Sequence, residues 1–277
     1  RQMPMHYGHK ELNIISQSSP TGTQYLQAVG TAKAISIRGE DKVVYVSSGE
    51  GTTAQGAYHE ALNWAAREKL PVIFVIQDNK FAISVHITEQ LAGGSVTKSA
   101  TGYAGLEISA INGLDYEKCY AAMTKAVKRA RSGNGPTLIV ADVVRLQSHS
   151  ISDNQEKYRP KKDIEADKKK DPLILLEKKL LAKKLISKKA LATLKESVFQ
   201  EIADAGKRAE ASPDPDPATA QDHVLKHTFP QTFEETAPSG EEVYMVDALN
   251  HGLDEELKRI PEMVIYGQDV AYGKGGV

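Results

Sequence analysis

Between about residue 21 and residue 143, short β-branched runs alternate with stretches of helical pattern, and this alternation constrains the fold most. The runs are continuously apolar, which is typical of strands buried on both faces of a parallel sheet. We therefore predict an α/β fold with helices on both sides of a parallel sheet. The predicted strands are Val43–Ser47, Val72–Ile76 and Thr137–Val143, and the predicted helices are about Thr21–Ile37, Ala54–Lys69 and Tyr116–Arg131.

The composition changes after residue 155. Glu156–Lys170 is highly charged, and two lysine-rich amphipathic helices are predicted beyond Pro172. One face of the second predicted helix carries Leu191, Leu194, Val198, Ile202 and Ala205. We interpret the polar side of this pair as a solvated face, with steering of an acidic partner domain as the alternative.

A proline- and aspartate-rich segment, Ser212–Asp222, predicts an interdomain linker that extends to roughly Glu241. After it, a new helix is predicted at Val243–Ile260 and a new strand at Met263–Gly267. The predicted divisions are a first domain at 1–211, a linker at 212–241 and the start of a second, similar domain at 242–277. The 277 residues, 40% of them hydrophobic, suffice for one large or two modest cores.

Several classes of protein are disfavoured by composition. No stretch approaches the roughly 20 apolar residues of a membrane span, and the first thirty residues lack a secretion pattern. A net charge of −1 gives no reason to expect nucleic-acid binding. The single cysteine, Cys119, fits a reducing compartment, so we predict a cytoplasmic protein. Because the chain opens at Arg1 without methionine and stops at Val277 after a glycine-rich turn, we expect it to be part of a longer polypeptide.

Polar residues follow the first two predicted strands. Ser48-Gly49-Glu50-Gly51 follows the first, and Gln77-Asp78-Asn79-Lys80-Phe81 follows the second. Ligands of open α/β sheets collect at the carboxyl ends of the strands, so Glu50 and Asn79 converge if the strands are neighbours. Their oxygens suit Mg²⁺, and the glycines allow backbone amides to approach a diphosphate at the start of the next helix.

The stretch GEGTTAQGAYHEALNWAAREKLPVIFVIQDNKFAIS resembles the thiamine diphosphate motif of 2-oxo acid dehydrogenase α subunits. The resemblance implies a thiamine diphosphate-binding fold whose first domain holds the cofactor with Mg²⁺. It implies that Glu50, Asn79 and the backbone carbonyl of Phe81 bind the Mg²⁺. The cofactor-binding residues implied are these three together with Ser19, Thr21, Gly49, Gly51, Thr52, Ile83, Arg145 and His149.

The segments on either side extend the resemblance. RQMPMHYG and SQSSPTGTQ are similar to segments of branched-chain 2-oxo acid dehydrogenases, where His6 would line the catalytic cleft and Ser18-Ser19-Pro20 would contact the cofactor. RLQSHSISD resembles the mobile active-site loop and places Arg145 and His149 in it. Ser150 falls where mitochondrial relatives are phosphorylated, and we interpret it as an ordinary loop serine.

The final segment, ALNHGLDEELKRIPEMVIYGQDVAYGKGGV, resembles the opening of the β subunit. This predicts a fused α–β polypeptide, with the β-type half completing the site in the same or a second chain. The glutamate that activates the aminopyrimidine lies further into the β subunit, so residues 1–277 alone are not expected to turn over a 2-oxo acid. The implied partners are a lipoyl-bearing dihydrolipoyl acyltransferase, a flavin-containing component and a second copy in a homodimer.

Three residues depart from the family pattern. Gln77 stands where branched-chain relatives commonly have an arginine, Gln147 replaces a frequent histidine, and Gln268 stands where the β opening usually has glutamate. With Gln77 at the first of these positions, the positive charge that would neutralise the diphosphate must come from elsewhere or be missing.

The resemblance predicts oxidative decarboxylation of a branched-chain 2-oxo acid such as 2-oxoisovalerate, with acyl transfer to a lipoyl group. His149 would hold a proton during transfer and His6 would orient substrate or diphosphate. His59 and Cys119 are interpreted as packing residues. The alternatives are pyruvate as substrate, an acetoin- or transketolase-type thiamine enzyme, and a noncatalytic interaction module that keeps the fold.

Overall fold

The computed structural model describes residues 6–222, 240–267 and 270. It divides into two compact units with the boundary between Pro213 and Asp214. The first unit contains the sheet and the predicted site. The predictions that concern residues 1–5, most of the linker, Gln268 and residues 271–277 fall outside the described residues.

The first unit is built on a four-stranded sheet in which every pairing is parallel. In chain order the strands are β1 (Val44–Gly49), β2 (Val72–Asp78), β3 (Phe81–Ala82), β4 (Val85–His86), β5 (Glu107–Asn112) and β6 (Thr137–Asp142). The sheet order is β1-β2-β6-β5, and β3 and β4 form a separate antiparallel hairpin. β1, β2 and β6 confirm the predicted strands to within two residues at each end. β5 was not predicted, because its sequence EISAIN lacks the continuous apolar run of the other three.

Helices α1 (Thr23–Ile37) and α2 (Gly56–Glu68) cover one face of the sheet, and α5 (Tyr116–Arg131) covers the other. The first unit also contains α3 (Ile87–Gln90), α4 (Val96–Ser99), α6 (Lys161–Lys168), α7 (Pro172–Ala182) and α8 (Lys188–Glu210). Side chains of β2 alternate between the faces: Phe74 and Ile76 pack with α1 and α2, whereas Ile73 packs with Ala126 of α5. The predicted α/β class, with helices on both sides of a parallel sheet, is confirmed.

The two predicted lysine-rich helices are α7 and α8, and the structure confirms both. Asp171 and Ser187 cap their N-termini by accepting backbone N–H bonds. Neither helix has a buried residue, and Lys195 of α8 pairs with Glu177 of α7 at 2.6 Å. The interpretation of their polar side as solvated is consistent with this exposure.

The second unit contains a short 3₁₀ turn, Pro217–Thr219, and helix α9 (Met245–Arg259). The helix predicted at Val243–Ile260 is therefore present, but the strand predicted at Met263–Gly267 is wrong. A strand needs a partner for its backbone groups, and the described residues of this unit contain no second strand to pair with. Within the described ranges, no helix is long and apolar enough to cross a membrane.

Candidate functional site

Two polar side chains follow neighbouring strands at the carboxyl edge of the sheet. Gly49, which ends β1, pairs with Gln77 of β2, so Glu50 and Asn79 emerge beside each other. The backbone N–H of Asn79 donates to Glu50 Oε2 at 3.1 Å. Asn79 Oδ1 in turn accepts the N–H of Phe81 at 3.2 Å. The structure thus brings together the three residues that the sequence motif assigns to one cation.

Glu50 is a buried carboxyl group, with 2% of its surface exposed. Its Oε1 has no hydrogen-bond partner among the described residues. Burial raises the pKa of Glu50 above its usual range, and the hydrogen bond from Asn79 only partly offsets this. Buried polar atoms normally have partners, so this oxygen fits one that a bound cation would use.

Any cation at this edge would rest on mixed oxygen donors. In the described part of the chain, no three His, Cys, Asp or Glu side chains cluster as metal ligands. Glu50, Asn79 and Phe81 offer a carboxylate, an amide and a backbone carbonyl oxygen. Mg²⁺ takes about six oxygens and often keeps waters and substrate phosphates. The donor set therefore fits Mg²⁺ together with a diphosphate.

The turn after β1 needs glycine at its centre. A Cβ on Gly51 would lie 2.8 Å from the Cβ of Ala82, which is closer than real Cβ atoms approach. Gln90 Nε2 donates to the Gly51 carbonyl at 2.5 Å. Thr52 follows in a short 3₁₀ turn that closes when its carbonyl accepts the N–H of Gln55 at 3.1 Å. Gly51 thus lets the turn lie directly against the β3–β4 hairpin.

The same turn is braced from the core. The buried Tyr25 hydroxyl hydrogen-bonds with Ser48 Oγ, which also donates to the Gly49 carbonyl at 2.9 Å. Thr53 Oγ1 donates to the Glu50 carbonyl at 2.7 Å. Burial raises the pKa of Tyr25 to about 12, so its hydroxyl stays protonated at neutral pH. Each backbone carbonyl around Glu50 is therefore fixed before any ligand arrives.

An ion-pair cluster that no local sequence motif indicates lies beside Asn79. Lys80 Nζ is 2.7 Å from Asp78 Oδ2 and 2.9 Å from Asp142 Oδ1. Asp78 and Asp142 are paired across β2 and β6, so two carboxylates meet at the carboxyl edge. Their proximity depends on the strand order, which the local sequence does not encode.

Phe81 and Ile83 connect the turn after β2 with the later loop. Two guanidinium groups lie over the Phe81 ring, with Arg145 Cζ 5.4 Å and Arg159 Cζ 5.1 Å from its centroid. Arg145 Nη1 donates to the Ile83 carbonyl at 2.6 Å, and Nη2 donates to the Tyr158 hydroxyl at 2.6 Å. Ile83 has a positive φ of 54°, which is rare for a β-branched residue. Arg145 therefore joins the two segments that the motif assigns to the cofactor.

His149 lies exposed in the loop after β6. Its backbone N–H donates to Asp153 Oδ2 at 2.8 Å, and the Tyr158 hydroxyl donates to the same oxygen at 2.7 Å. The Tyr158 bond first, and then the His149 bond, lower the pKa of Asp153. Ser150 is also exposed and has its Oγ 3.1 Å from Ser152 Oγ. The loop is thus held by backbone and hydroxyl contacts while the His149 imidazole faces outward.

The segment before α1 brings His6 and Ser19 together. His6 Nε2 lies 3.0 Å from Ser19 Oγ. Ser18 Oγ hydrogen-bonds with Thr23 Oγ1, which donates to the Pro20 carbonyl at 3.0 Å. Thr21, also assigned to the cofactor by the motif, lies exposed in this turn. These contacts fold the Ser-Ser-Pro turn over the start of α1.

His59, Cys119 and Gln147, also singled out in the sequence, lie apart from these contacts, whereas Gln77 pairs with Gly49 at the end of β1. His59 Nδ1 is 2.9 Å from the Tyr103 hydroxyl, which agrees with a packing role. Cys119 is half-buried rather than fully buried, and burial raises the pKa of its thiol. Gln77 and Gln147 are both exposed.

Comparison with known proteins shows which family the chain matches. The family model described as "Dehydrogenase E1 component" matches residues 1–218. The chain is 39% identical over 224 residues to the 2-oxoisovalerate dehydrogenase subunit alpha of Bacillus subtilis, covering 81% of this chain and 68% of that one. It is 34% identical over 218 residues to the mitochondrial 2-oxoisovalerate dehydrogenase subunit alpha of Homo sapiens, covering 78% of this chain and 49% of that one. The chain thus spans about two-thirds of one relative and about half of the other.

A solved structure of transketolase from Campylobacter jejuni is also similar, with a TM-score of 0.41 and 28% identity. The similar region covers 45% of this chain and 20% of the transketolase chain. So partial an overlap adds no argument about function.

Proposed function

The chain belongs to the dehydrogenase E1 component family, and we propose that it forms the cofactor-binding, α-type part of a thiamine diphosphate-dependent 2-oxo acid dehydrogenase. The observation that carries this proposal is the buried carboxylate of Glu50. Its Oε2 accepts the Asn79 backbone N–H, and its Oε1 has no hydrogen-bond partner among the described residues. A noncatalytic module would have no need to keep a desolvated carboxylate at the carboxyl edge of its sheet.

Glu50, Asn79 and the Phe81 carbonyl are proposed to hold Mg²⁺, which would bridge to the diphosphate of the cofactor. The backbone around Gly49, Gly51 and Thr52 would line the diphosphate, because glycines let backbone amides approach an anion closely. When bound, thiamine diphosphate supplies the electron sink for decarboxylation of a 2-oxo acid.

The chain's own residues would place the reactants and control protons. Ser19 and Thr21 lie in the turn proposed to contact the cofactor, and His6 is held by Ser19 so that its ring is oriented before substrate arrives. His149, exposed on its loop, is proposed to hold or release a proton during acyl transfer. A diphosphate contact from Arg145 stays a prediction, since both of its terminal nitrogens already donate to protein oxygens.

The proposed substrate is a branched-chain 2-oxo acid, because both relatives described above are named 2-oxoisovalerate dehydrogenase. Pyruvate is the alternative within the same chemistry. The proposed partners are a β-type half, fused or separate, that completes the site, a second copy in a homodimer, and a lipoyl-bearing dihydrolipoyl acyltransferase that accepts the acyl group. Placement in the cytoplasm also stays a prediction.

The decisive experiment is turnover by the complete protein with its β-type half. Carbon dioxide release would be measured with 2-oxoisovalerate and with pyruvate, using a lipoylated acceptor domain and thiamine diphosphate with Mg²⁺. We expect a higher kcat/KM for 2-oxoisovalerate and strict dependence on both cofactor and Mg²⁺. Preference for pyruvate would reassign the substrate, and release that is independent of the cofactor would contradict the proposed chemistry.

A further inference from the structure

Lys80 has a backbone conformation that side chains rarely adopt. Its φ is +73°, in the left-handed region where glycine is the default residue. A lysine here costs conformational energy that glycine would avoid, and such outliers concentrate where the side chain has a task. The residue lies immediately between Asn79 and Phe81, two of the proposed Mg²⁺ ligands.

The Lys80 side chain joins the ends of two strands. Nζ contacts Asp78 of β2 at 2.7 Å and Asp142 of β6 at 2.9 Å. The backbone N–H of Lys80 also donates to Asp78 Oδ1 at 3.1 Å, so both oxygens of that carboxylate are held by one residue. Asp78 is only 5% exposed, which makes its pairing costly to lose.

Asn79 is enclosed by this arrangement. The contacts from Lys80 back to Asp78 close a tight loop around it, and the Lys80 carbonyl accepts the N–H of Ile87 at 2.9 Å on the far side. Inside the loop, the Asn79 N–H is shared between Glu50 Oε2 at 3.1 Å and the Gln77 carbonyl at 3.2 Å. The position of Asn79 relative to Glu50 therefore depends on how the end of β2 is held, and Lys80 adds side-chain contacts there to the backbone pairing with β1 and β6.

We propose that Lys80 is a positioning residue whose ion pairs with Asp78 and Asp142 fix the spacing between Glu50 and Asn79 and thereby set the Mg²⁺ affinity of the site. The inference rests on the proposed function, since it assumes that these two side chains bind Mg²⁺. Lys80 itself is not expected to touch the cation or the cofactor.

The test measures, by calorimetry, how binding of thiamine diphosphate to the complete protein depends on the Mg²⁺ concentration. No substrate turnover is involved. Residues that hold metal ligands in place typically contribute about 10–100-fold to metal affinity. We expect Lys80→Met to raise the Mg²⁺ concentration for half-maximal binding by roughly this factor. Cofactor affinity at saturating Mg²⁺ should change much less, and Lys80→Arg should restore part of the Mg²⁺ affinity.

A double variant separates positioning from stability. Lys80→Met leaves the buried Asp78 with the backbone N–H of residue 80 but without a cation, so it is expected to lower the melting temperature as well. In Asp78→Asn/Lys80→Met the unpaired charge is gone, and the melting temperature should recover while Mg²⁺ affinity stays weak. Lys125→Met, which removes an exposed pair with Glu107 at 2.8 Å, is the matched control and should change neither.

The results that overturn the inference are distinct from those that overturn the function. If wild-type protein binds the cofactor with Mg²⁺ and Lys80→Met needs no more Mg²⁺, Lys80 has no positioning role. If Mg²⁺ affinity recovers with melting temperature in the double variant, the role is only structural. If wild-type protein shows no Mg²⁺-dependent cofactor binding, the proposed function fails and this inference fails with it.

Discussion

The turns after β1 and β2 bury their central carboxyl group, that of Glu50, whereas the loop after β6 leaves His149 exposed. In the turns, the buried Glu50 accepts from Asn79, and Gly51 packs directly against Ala82. In the loop, His149 is exposed, and Asp153 contacts its backbone N–H rather than its imidazole. The turns around Glu50 are therefore formed before a ligand binds, whereas the loop after β6 leaves the His149 side chain exposed to solvent.

The difference matches two tasks of the proposed function. Binding a cation and a diphosphate requires oxygens and amides at set positions, and fixing them in advance avoids an ordering cost during binding. Passing an acyl group to a lipoyl arm requires a group that an incoming partner can reach. Arg145 connects the two parts by donating a hydrogen bond to the Ile83 carbonyl.

The largest expected effect tests the fixed part. Glu50→Ala removes the buried carboxylate, and water cannot replace it with the geometry that Mg²⁺ demands. We expect Mg²⁺-dependent binding of thiamine diphosphate to fall below detection in calorimetry of the complete protein. Glu156→Ala in the His149 loop is the matched control, because that side chain is exposed, and it should bind normally. If Glu50→Ala bound thiamine diphosphate with Mg²⁺ as tightly as wild type, the proposed cation site in these turns would be wrong.

The second prediction tests the exposed part. His149→Ala should leave cofactor affinity close to that of wild type, because the contact held by Asp153 is made by the backbone, which the substitution keeps. Acyl transfer to a lipoylated acceptor should fall by about 10²–10⁴-fold, the usual loss for an acid–base group. Decarboxylation measured with an artificial electron acceptor should fall less, since it bypasses the lipoyl step.

His59→Ala is a suitable control for this comparison, because His59 contacts Tyr103 away from the loop. Equal losses in the two assays would move His149 to a step before acyl transfer. Full activity in both would show that its imidazole takes no part.

The same contrast explains what could be predicted from sequence. β1, β2 and β6 were predicted because apolar runs buried on both faces leave a local pattern. β5 was missed because Glu107–Asn112 mixes polar and apolar residues, and Met263–Gly267 was wrongly predicted because a local pattern does not supply a pairing partner.

The candidate site divides in the same way. The convergence of Glu50 and Asn79 followed from the strand–helix–strand spacing, and the structure brings them into contact. The Lys80 contact with Asp142 could not be predicted, because it depends on β6 lying next to β2 in the sheet. Contacts within one strand–helix–strand unit can thus be predicted from the sequence. Predicting contacts between more distant strands requires knowledge of the strand order in the sheet.

The smallest expected effect sharpens the comparison through stability. Glu50 has its pKa raised by burial above the ordinary value of 4.5, so the folded protein holds its proton more tightly than the unfolded chain does. For a carboxyl group this means that stability is lost as pH rises from about 4.5 through the raised folded value. Above that window, Mg²⁺-free protein bears the cost of a buried charge. Below it, the group is protonated in both states and the cost is absent.

Glu50→Gln removes that charge and keeps an oxygen for the Asn79 N–H. In Mg²⁺-free protein at pH 8 we expect it to raise the melting temperature by about 2–4 °C for each kcal/mol recovered, the scale for domains of this size. The gain should shrink as pH falls toward 4.5, where wild-type Glu50 becomes neutral. Glu156→Gln, exposed in the His149 loop, should show no gain at either pH. If Glu50→Gln raised the melting temperature equally at both pH values, packing rather than the buried charge would explain why Glu50 and Glu156 respond differently.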